Sequence, residues 1–119
     1  MAIGVIYGCT YRKEEIPPTP ALSQTNCDTT SITYSKSIAP IINQYCLSCH
    51  GSSIYQTNGG GHILDGYSNI APYSGKNGVL INSINFSPGY NGMPYGGTKI
   101  PDCDILMIQT WINAGTPNN

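Results

Sequence analysis

Two segments of the chain repeat apolar residues at the spacing of an α-helix. The first predicts a helix over about residues 36–45, because its apolar positions follow an i, i+3, i+4, i+7 pattern: Ile38, Ile41, Ile42 and Tyr45. Ser35 is the expected N-cap of this helix. Pro40 falls in its first turn or so, where a missing N–H costs little. We expect the apolar stripe to pack on the last helix of the chain.

The second pattern predicts that last helix, which begins near Asp102. Pro101 lies near its first position, and Asp102 and Asp104 place negative charge in its first turn, as helix N-termini favour. The apolar row and its flanking residues are Ile105, Ile108, Ile112, Leu106 and Trp111. Gly115 and Pro117 are expected to end the helix.

The segments between these two helices contain much glycine, serine and asparagine. Residues 51–61 and 85–99 are therefore predicted to be loops. Residues 68–84 are expected to hold one or two short helices, with Gly75 and Gly78 as the breaks. The pattern as a whole predicts an all-α domain of few helices and long Gly/Pro-rich loops.

The first helix leads directly into a C-x-x-C-H motif, Cys46-Leu47-Ser48-Cys49-His50. On a helical turn, Cys46, Cys49 and His50 occupy positions i, i+3 and i+4, which share one face. This motif is typical of covalent haem attachment. The two thiols can form thioethers with the vinyl groups of one porphyrin, and the imidazole can reach the iron. We therefore predict one haem c, attached through Cys46 and Cys49, with His50 as the proximal ligand.

Two other interpretations of the motif compete with haem attachment. A structural zinc site needs a second paired cluster, whereas Cys9, Cys27 and Cys103 each stand alone. A thioredoxin-like dithiol lies at the start of a helix that follows a strand, whereas here a helical pattern runs into Cys46 from upstream.

The second axial ligand is predicted to be Met93, in the middle of the loop over residues 85–99. Its thioether sulfur is a soft ligand for haem iron, and His/Met ligation raises the reduction potential. Pro94 stiffens the backbone beside it. Met107 lies inside a predicted helix and competes poorly as a ligand. His62 is the alternative ligand or a contact for a haem propionate, although a lone histidine in a Gly-rich loop is more often exposed or hydrogen-bonded.

Composition and charge disfavour some classes of function, nucleic-acid binding among them. Charged residues make up only 9% of the 119-residue chain, which holds 14 glycines, 9 prolines and 9 tyrosines. From residue 27 onward three lysines face four aspartates, so the chain offers no basic patch for nucleic acid. No acid–base pair or nucleophile constellation is evident, so we expect no enzyme activity. Five cysteines in a small chain indicate an oxidising, exported setting.

Residues 1–26 are expected to precede the folded domain. Apolar residues 1–8 end at Cys9, which looks like the tail of a bacterial lipoprotein signal and predicts a lipid on Cys9. The bulky Tyr7 and the lack of a positive n-region depart from that pattern, and an ordinary N-terminal peptide is the alternative. The prolines that follow, Pro17, Pro18 and Pro20, favour an extended tether. The folded domain is predicted over residues 27–119.

Cys27 lies at the start of the predicted domain, and Cys103 at the start of its last helix. If the two terminal helices cross, a Cys27–Cys103 disulfide would link the domain's first residues to that helix. Closing a loop of this length would stabilise the domain by roughly 4 kcal/mol on a chain-entropy treatment.

Residues 27–119 resemble the small monohaem c-type cytochromes of bacteria with class I-like architecture, especially a lipoprotein-like group of environmental bacteria such as Bacteroidota. The matching motifs are Ile32-Thr33-Tyr34-Ser35, Ile38-Ala39-Pro40-Ile41, Cys46-Leu47-Ser48-Cys49-His50, Leu64-Asp65-Gly66-Tyr67, Met93-Pro94-Tyr95-Gly96-Gly97 and Asp102-Cys103-Asp104-Ile105 with the final residues 111–119. The resemblance implies covalent haem c, His50 and Met93 as axial ligands, and electron transfer. Separately, the position of Trp111 on the last helix leads us to expect that it closes over the edge of the haem pocket.

The first hypothesis is therefore a periplasmic, cell-surface or extracellular one-electron carrier that serves redox partner proteins. Its only membrane contact would be the lipid on Cys9. One alternative is a haem sensor or peroxidase-type domain with an open iron, in which His62 or Tyr90 serves the distal pocket. Another is a subunit of an extracellular electron-conducting assembly formed by self-association, which the many tyrosines and low charge permit.

Overall fold

The computed structural model describes residues 27–119, which contain helices and no β-strand. The all-α prediction is confirmed for this part of the chain. The six α-helices are α1 (Ala39–Tyr45), α2 (Leu47–His50), α3 (Tyr55–Asn58), α4 (Tyr67–Ile70), α5 (Val79–Ile84) and α6 (Asp102–Asn113). The predicted lipid on Cys9 and the Pro-rich tether lie outside the described residues.

The first helical segment begins earlier than predicted and with a wider turn. Residues Tyr34–Ile38 form a π-helical turn that runs directly into α1. The cap is Thr33, whose side-chain oxygen accepts a hydrogen bond from the Lys36 N–H at 3.1 Å. The prediction that Ser35 is the N-cap is therefore wrong. Pro40 lies at the start of α1 and has no N–H to donate, so the hydrogen-bond pattern changes at this junction.

The last helix, α6, has nearly the bounds that its apolar pattern predicted. It packs against the turn Tyr34–Ile38 and against α5, so the contact expected between the first helical segment and the last helix is made through Tyr34–Ile38. Its buried residues are Ile105, Ile108, Trp111 and Ile112. Within residues 27–119 no helix, α6 included, is long and apolar enough to cross a bilayer.

Trp111 is the centre of an aromatic cluster between α6 and the rest of the domain. Its side chain is only 1% exposed, and its ring lies 5.8 Å from that of Tyr34 and 6.3 Å from that of Tyr67, centroid to centroid. The indole N–H donates a hydrogen bond to the carbonyl of Pro117 at 2.9 Å, and the Tyr67 hydroxyl donates to the carbonyl of Thr116 at 2.6 Å. The residues after α6 are thus held against the aromatic cluster.

The secondary structure of residues 51–84 agrees only in part with the prediction. Residues 51–61 are not all loop, since they contain the single helical turn α3, where the Gly59 N–H bonds the Tyr55 carbonyl at 2.9 Å. The short helices expected over residues 68–84 are present as α4, followed by a 3₁₀ turn Ala71–Tyr73, and as α5. Gly75 and Gly78 lie between them, as expected.

The predicted disulfide between Cys27 and Cys103 is present, with the two Cα atoms 5.5 Å apart. This separation lies in the ordinary range for a disulfide. The bond links the first described residue to the first turn of α6.

Candidate functional site

A cleft of about 760 Å³ opens between α1, α2, α5 and the loops that follow α3 and α5. Its volume is within the range of small-molecule and cofactor sites. Its apolar lining comes mainly from Ile41, Ile42, Leu64, Val79, Leu80, Ile84, Ile100 and Ile108. All four predicted site residues, Cys46, Cys49, His50 and Met93, also line this cleft. The structure therefore brings together a local motif and a residue that lies forty-three positions further along the chain.

The C-x-x-C-H residues form one helical turn, as predicted. The Cys46 N–H closes the end of α1 on the Ile42 carbonyl at 2.9 Å. The Cys46 carbonyl then accepts hydrogen bonds from the N–H groups of Cys49, at 3.2 Å, and of His50, at 2.8 Å. Cys46 is half-buried, Cys49 is exposed, and both are free thiols. Two thiols and one imidazole are therefore presented to the same cleft.

The ring of His50 is held by a backbone carbonyl. Its Nδ1 lies 2.6 Å from the carbonyl oxygen of His62. Because a carbonyl only accepts, in the neutral ring this contact assigns the hydrogen to Nδ1 and leaves the lone pair on Nε2. The His50 carbonyl in turn accepts the Leu64 N–H at 2.9 Å. A fixed Nδ1–H and an unprotonated Nε2 form the arrangement seen at metal-ligating histidines.

Gly59 makes this arrangement sterically feasible. A Cβ at this position would lie 2.6 Å from the Cys49 carbonyl oxygen and 2.9 Å from His50 Nδ1. Both separations are far below van der Waals contact, so only glycine fits. The prediction of a loop over residues 51–61 did not include this role of Gly59. The run of three glycines at 59–61, directly before His62, was the available indication.

The side chain of His62 and its carbonyl contact different residues. Its Nδ1 is 3.1 Å from the hydroxyl of Tyr73, and the two rings are perpendicular with centroids 5.6 Å apart. The His62 carbonyl lies on the Nδ1 side of the His50 ring, away from Nε2. His62 and Tyr73 both line the cleft, so the alternative ligand also lies at the site, with its Nδ1 on the Tyr73 hydroxyl. The contact of the His62 carbonyl with the His50 ring was not predicted from the sequence.

Met93 is half-buried and is anchored to α5. Its N–H donates a hydrogen bond to the carbonyl of Ser83 at 3.0 Å, and Ser83 is itself buried. Met107 is half-buried in α6 and is absent from the cleft lining. Tyr90, named above as a candidate distal residue, is 41% exposed and also does not line the cleft. Among the described methionines, Met93 alone reaches the cleft.

The expectation that Trp111 closes over the edge of the haem pocket is wrong. Trp111 does not line the cleft and packs instead in the aromatic cluster with Tyr34 and Tyr67. The exposed aromatic residue of the cleft wall is Tyr95, with 80% of its side chain in solvent.

The lining of the cleft carries almost no charge. None of its described lining residues is Asp, Glu, Lys or Arg. Burial raises the pKa of the Cys46 thiol to about 11, so the thiol stays protonated at neutral pH. Reactive redox dithiols need a lowered thiol pKa, so this environment disfavours the thioredoxin-like interpretation. In residues 27–119 no three His, Cys, Asp or Glu side chains converge on one point.

Comparisons of this chain with protein-family models, with curated proteins and with solved structures found no match.

Proposed function

We propose that this protein is a one-electron carrier of the small class I-like cytochrome c type. One haem c would be attached covalently through Cys46 and Cys49, with His50 and Met93 as its axial ligands. The observation that carries the proposal is the His50 ring, which has its Nδ1–H fixed on the His62 carbonyl and lines one cleft with both thiols and Met93.

The donor set of the cleft fits this cofactor. Two thiols, one imidazole with a free Nε2 and one thioether sulfur are the groups that bind haem c in His/Met cytochromes. The two thiols and the imidazole do not converge on one point. Haem attachment does not need them to, since the thiols would bind the edge of the porphyrin and the imidazole would bind the iron at its centre. The apolar walls suit a large planar ring. When bound, the haem supplies an iron that gains and loses one electron reversibly.

The residues around the cleft have separate roles in this proposal. His62 holds the His50 ring through its carbonyl and keeps Nε2 directed away from that contact, which orients the ligand and raises its basicity. Met93 would supply the second ligand of the iron and would raise the reduction potential. The buried side chains Leu64, Leu80 and Ile84 exclude water from the interior of the cleft.

The mouth of the cleft is suited to redox partner proteins that are not strongly charged. Val79 is 53% exposed and Tyr95 is 80% exposed, and both line the cleft. We propose an exported location, because c-type haem attachment takes place outside the cytoplasm and the Cys27–Cys103 disulfide fits an oxidising compartment. Lipidation of Cys9, which would anchor the domain at a membrane, is part of the same proposal.

The test is to express the protein together with a c-type cytochrome maturation system. We expect one haem that stays bound after denaturation, a reversible one-electron potential, the methionine–iron charge-transfer band in the oxidised form, and no carbon monoxide binding when reduced. Protein made without the maturation system is the control and should lack covalent haem. Absence of covalent haem from the matured protein would overturn the proposal. Haem that binds carbon monoxide readily would instead support the sensor or peroxidase-type alternative, and a large assembly in solution the conducting one.

Replacing Met93 by alanine should open one axial position of the iron. We expect complete loss of the methionine–iron band, a lower reduction potential, and carbon monoxide binding that rises from undetectable to stoichiometric. The matched control is Met107→Ala, because Met107 is also half-buried but does not line the cleft. The ligand assignment is refuted if the band survives in Met93→Ala or disappears in Met107→Ala.

A further inference from the structure

We infer that Phe86 is a positioning residue that holds the loop carrying Met93 closed over the cleft. This inference rests on the proposed function, since it concerns how firmly Met93 is kept as an axial ligand. Phe86 lies two residues beyond the end of α5 and seven residues before Met93. It does not line the cleft itself, so its effect would pass through the backbone of the loop.

The backbone of Phe86 adopts a conformation that costs energy. Its φ is +57°, in the left-handed region, and among the described non-glycine residues only Thr116 shares this property. The Phe86 N–H bonds the Ser83 carbonyl at 3.1 Å, and the Ser87 N–H bonds the Asn82 carbonyl at 2.9 Å. This is the position after a helix that glycine usually fills, because an L side chain there costs roughly 1–2 kcal/mol. A phenylalanine at this position therefore needs a compensating contact.

The compensating contact is with Gly92, the residue directly before Met93. A Cβ built on Gly92 would lie 3.0 to 3.1 Å from three carbons of the Phe86 ring, so the ring lies directly against the Gly92 backbone. The ring is 44% exposed, so burial in the core does not explain its placement. The Phe86 ring instead covers the backbone of the loop at Gly92.

The two ends of this loop meet at one atom. The carbonyl oxygen of the buried Ser83 accepts hydrogen bonds from the N–H groups of both Phe86, at 3.1 Å, and Met93, at 3.0 Å. The loop that carries Met93 is therefore closed by two hydrogen bonds to the Ser83 carbonyl and by the packing of the Phe86 ring on Gly92. Loss of the ring removes the contact with Gly92 and leaves the hydrogen bonds to Ser83, so the open form of the loop becomes more populated. A ligand that competes with Met93 then binds more tightly in proportion to that population.

The test is Phe86→Gly in the haem-loaded protein, with imidazole and carbon monoxide as competing ligands. Glycine removes the ring but accepts the positive φ without cost, so the fold is retained. We expect the methionine–iron band to weaken and the apparent affinity for imidazole to rise by about tenfold or more, while the denaturant midpoint stays unchanged or rises. A residue that only ended α5 would leave both the band and the affinity unchanged.

Two matched pairs of variants separate the positioning of the Met93 loop from general effects of a backbone substitution. Thr116→Gly relieves the other positive φ, far along the chain from Met93, and should leave the band and the imidazole affinity unchanged. Gly92→Ala should displace the Phe86 ring and act like Phe86→Gly, whereas Gly97→Ala, whose Cβ would meet its nearest atom at an ordinary 3.5 Å, should not.

The outcomes distinguish this inference from the proposed function. If the unmutated protein lacks the methionine–iron band, the His/Met ligation and this inference both fail. If the band is present and Phe86→Gly leaves it and the imidazole affinity unchanged, this inference alone fails. Weakening of the band in Phe86→Gly and Gly92→Ala, but in neither control, would support it.

Discussion

Replacing Gly59 by alanine is expected to displace His50 and to destabilise the haem-loaded domain by about 1–3 kcal/mol, the usual cost of overpacking. The added Cβ would lie 2.6 Å from the Cys49 carbonyl oxygen, 2.9 Å from His50 Nδ1 and 3.0 Å from the Tyr55 carbonyl oxygen. Two of these three atoms belong to the backbone of α2 and α3, so a change of rotamer cannot relieve the clash. The segments that hold the His50 ring must therefore separate.

The ligand should be affected as well as the fold. Separation of these segments weakens the hydrogen bond from His50 Nδ1–H to the His62 carbonyl, an interaction worth about 0.5–1.5 kcal/mol. We therefore expect a lower yield of haem-loaded protein and an altered spectrum, together with a lower denaturant midpoint. The measurements are the haem-to-protein ratio, the visible spectrum and equilibrium unfolding.

The control for Gly59→Ala is Gly75→Ala. Gly75 has no atom within 4 Å of an added Cβ, so the substitution should change the free energy of unfolding by no more than about 0.5 kcal/mol. Equal midpoints and equal spectra for the two variants would contradict the steric role assigned to Gly59.

Removal of the disulfide by the double substitution Cys27→Ser and Cys103→Ser is expected to lower the free energy of unfolding by about 4 kcal/mol. The two cysteines are 76 residues apart in sequence, and their bond limits the unfolded chain by closing a loop nearly as long as the described domain. For a domain of this size the melting temperature should fall by roughly 15–30 °C. The native visible spectrum should not change, because neither cysteine lines the cleft.

Chemical reduction offers an independent check on the same bond. Unmutated protein treated with a reductant should lose the same stability as the double variant, because thioethers at Cys46 and Cys49 are not reducible in this way. Alkylation of the unreduced native protein should leave Cys27 and Cys103 unmodified. A loss of less than about 1 kcal/mol would mean that noncovalent contacts hold the ends of the domain together. Such contacts are present, since the Ser35 N–H donates to the Asn119 carbonyl at 2.9 Å.

Local patterns predicted the parts of the structure that depend on neighbours in sequence. The apolar spacing of residues 38–45 and 105–112 predicted α1 and α6, because a helix buries the face that its periodicity defines. The shared face of Cys46, Cys49 and His50 followed from their spacing alone. The cap at Thr33 was missed because the start of a helix is weakly specified, and the N–H of Ser35 bonds Asn119 at the far end of the chain.

The contacts that prepare the site join residues that are close in sequence but lie on a helix and on the loop that returns to it, and no helical periodicity relates them. The close approach of Gly59 to His50, the acceptor role of the His62 carbonyl and the packing of Phe86 on Gly92 all depend on how loops return to the helices. The side on which Trp111 packs depends on its contact with Tyr34, which is 77 residues away, so the position of Trp111 on its helix could not predict that side.

The sequence by itself determined the helical class of the domain and the chemical groups of its site. A repeat of apolar residues dictates which face is buried, and C-x-x-C-H dictates two thiols and an imidazole on one turn. Only the tertiary structure decided which ring nitrogen of His50 carries the hydrogen in the neutral ring and whether Met93 and the C-x-x-C-H turn share one cleft. The physical reason is that a fixed tautomer and a shared cleft require a backbone carbonyl, a glycine and a loop from elsewhere in the chain to lie within van der Waals distance.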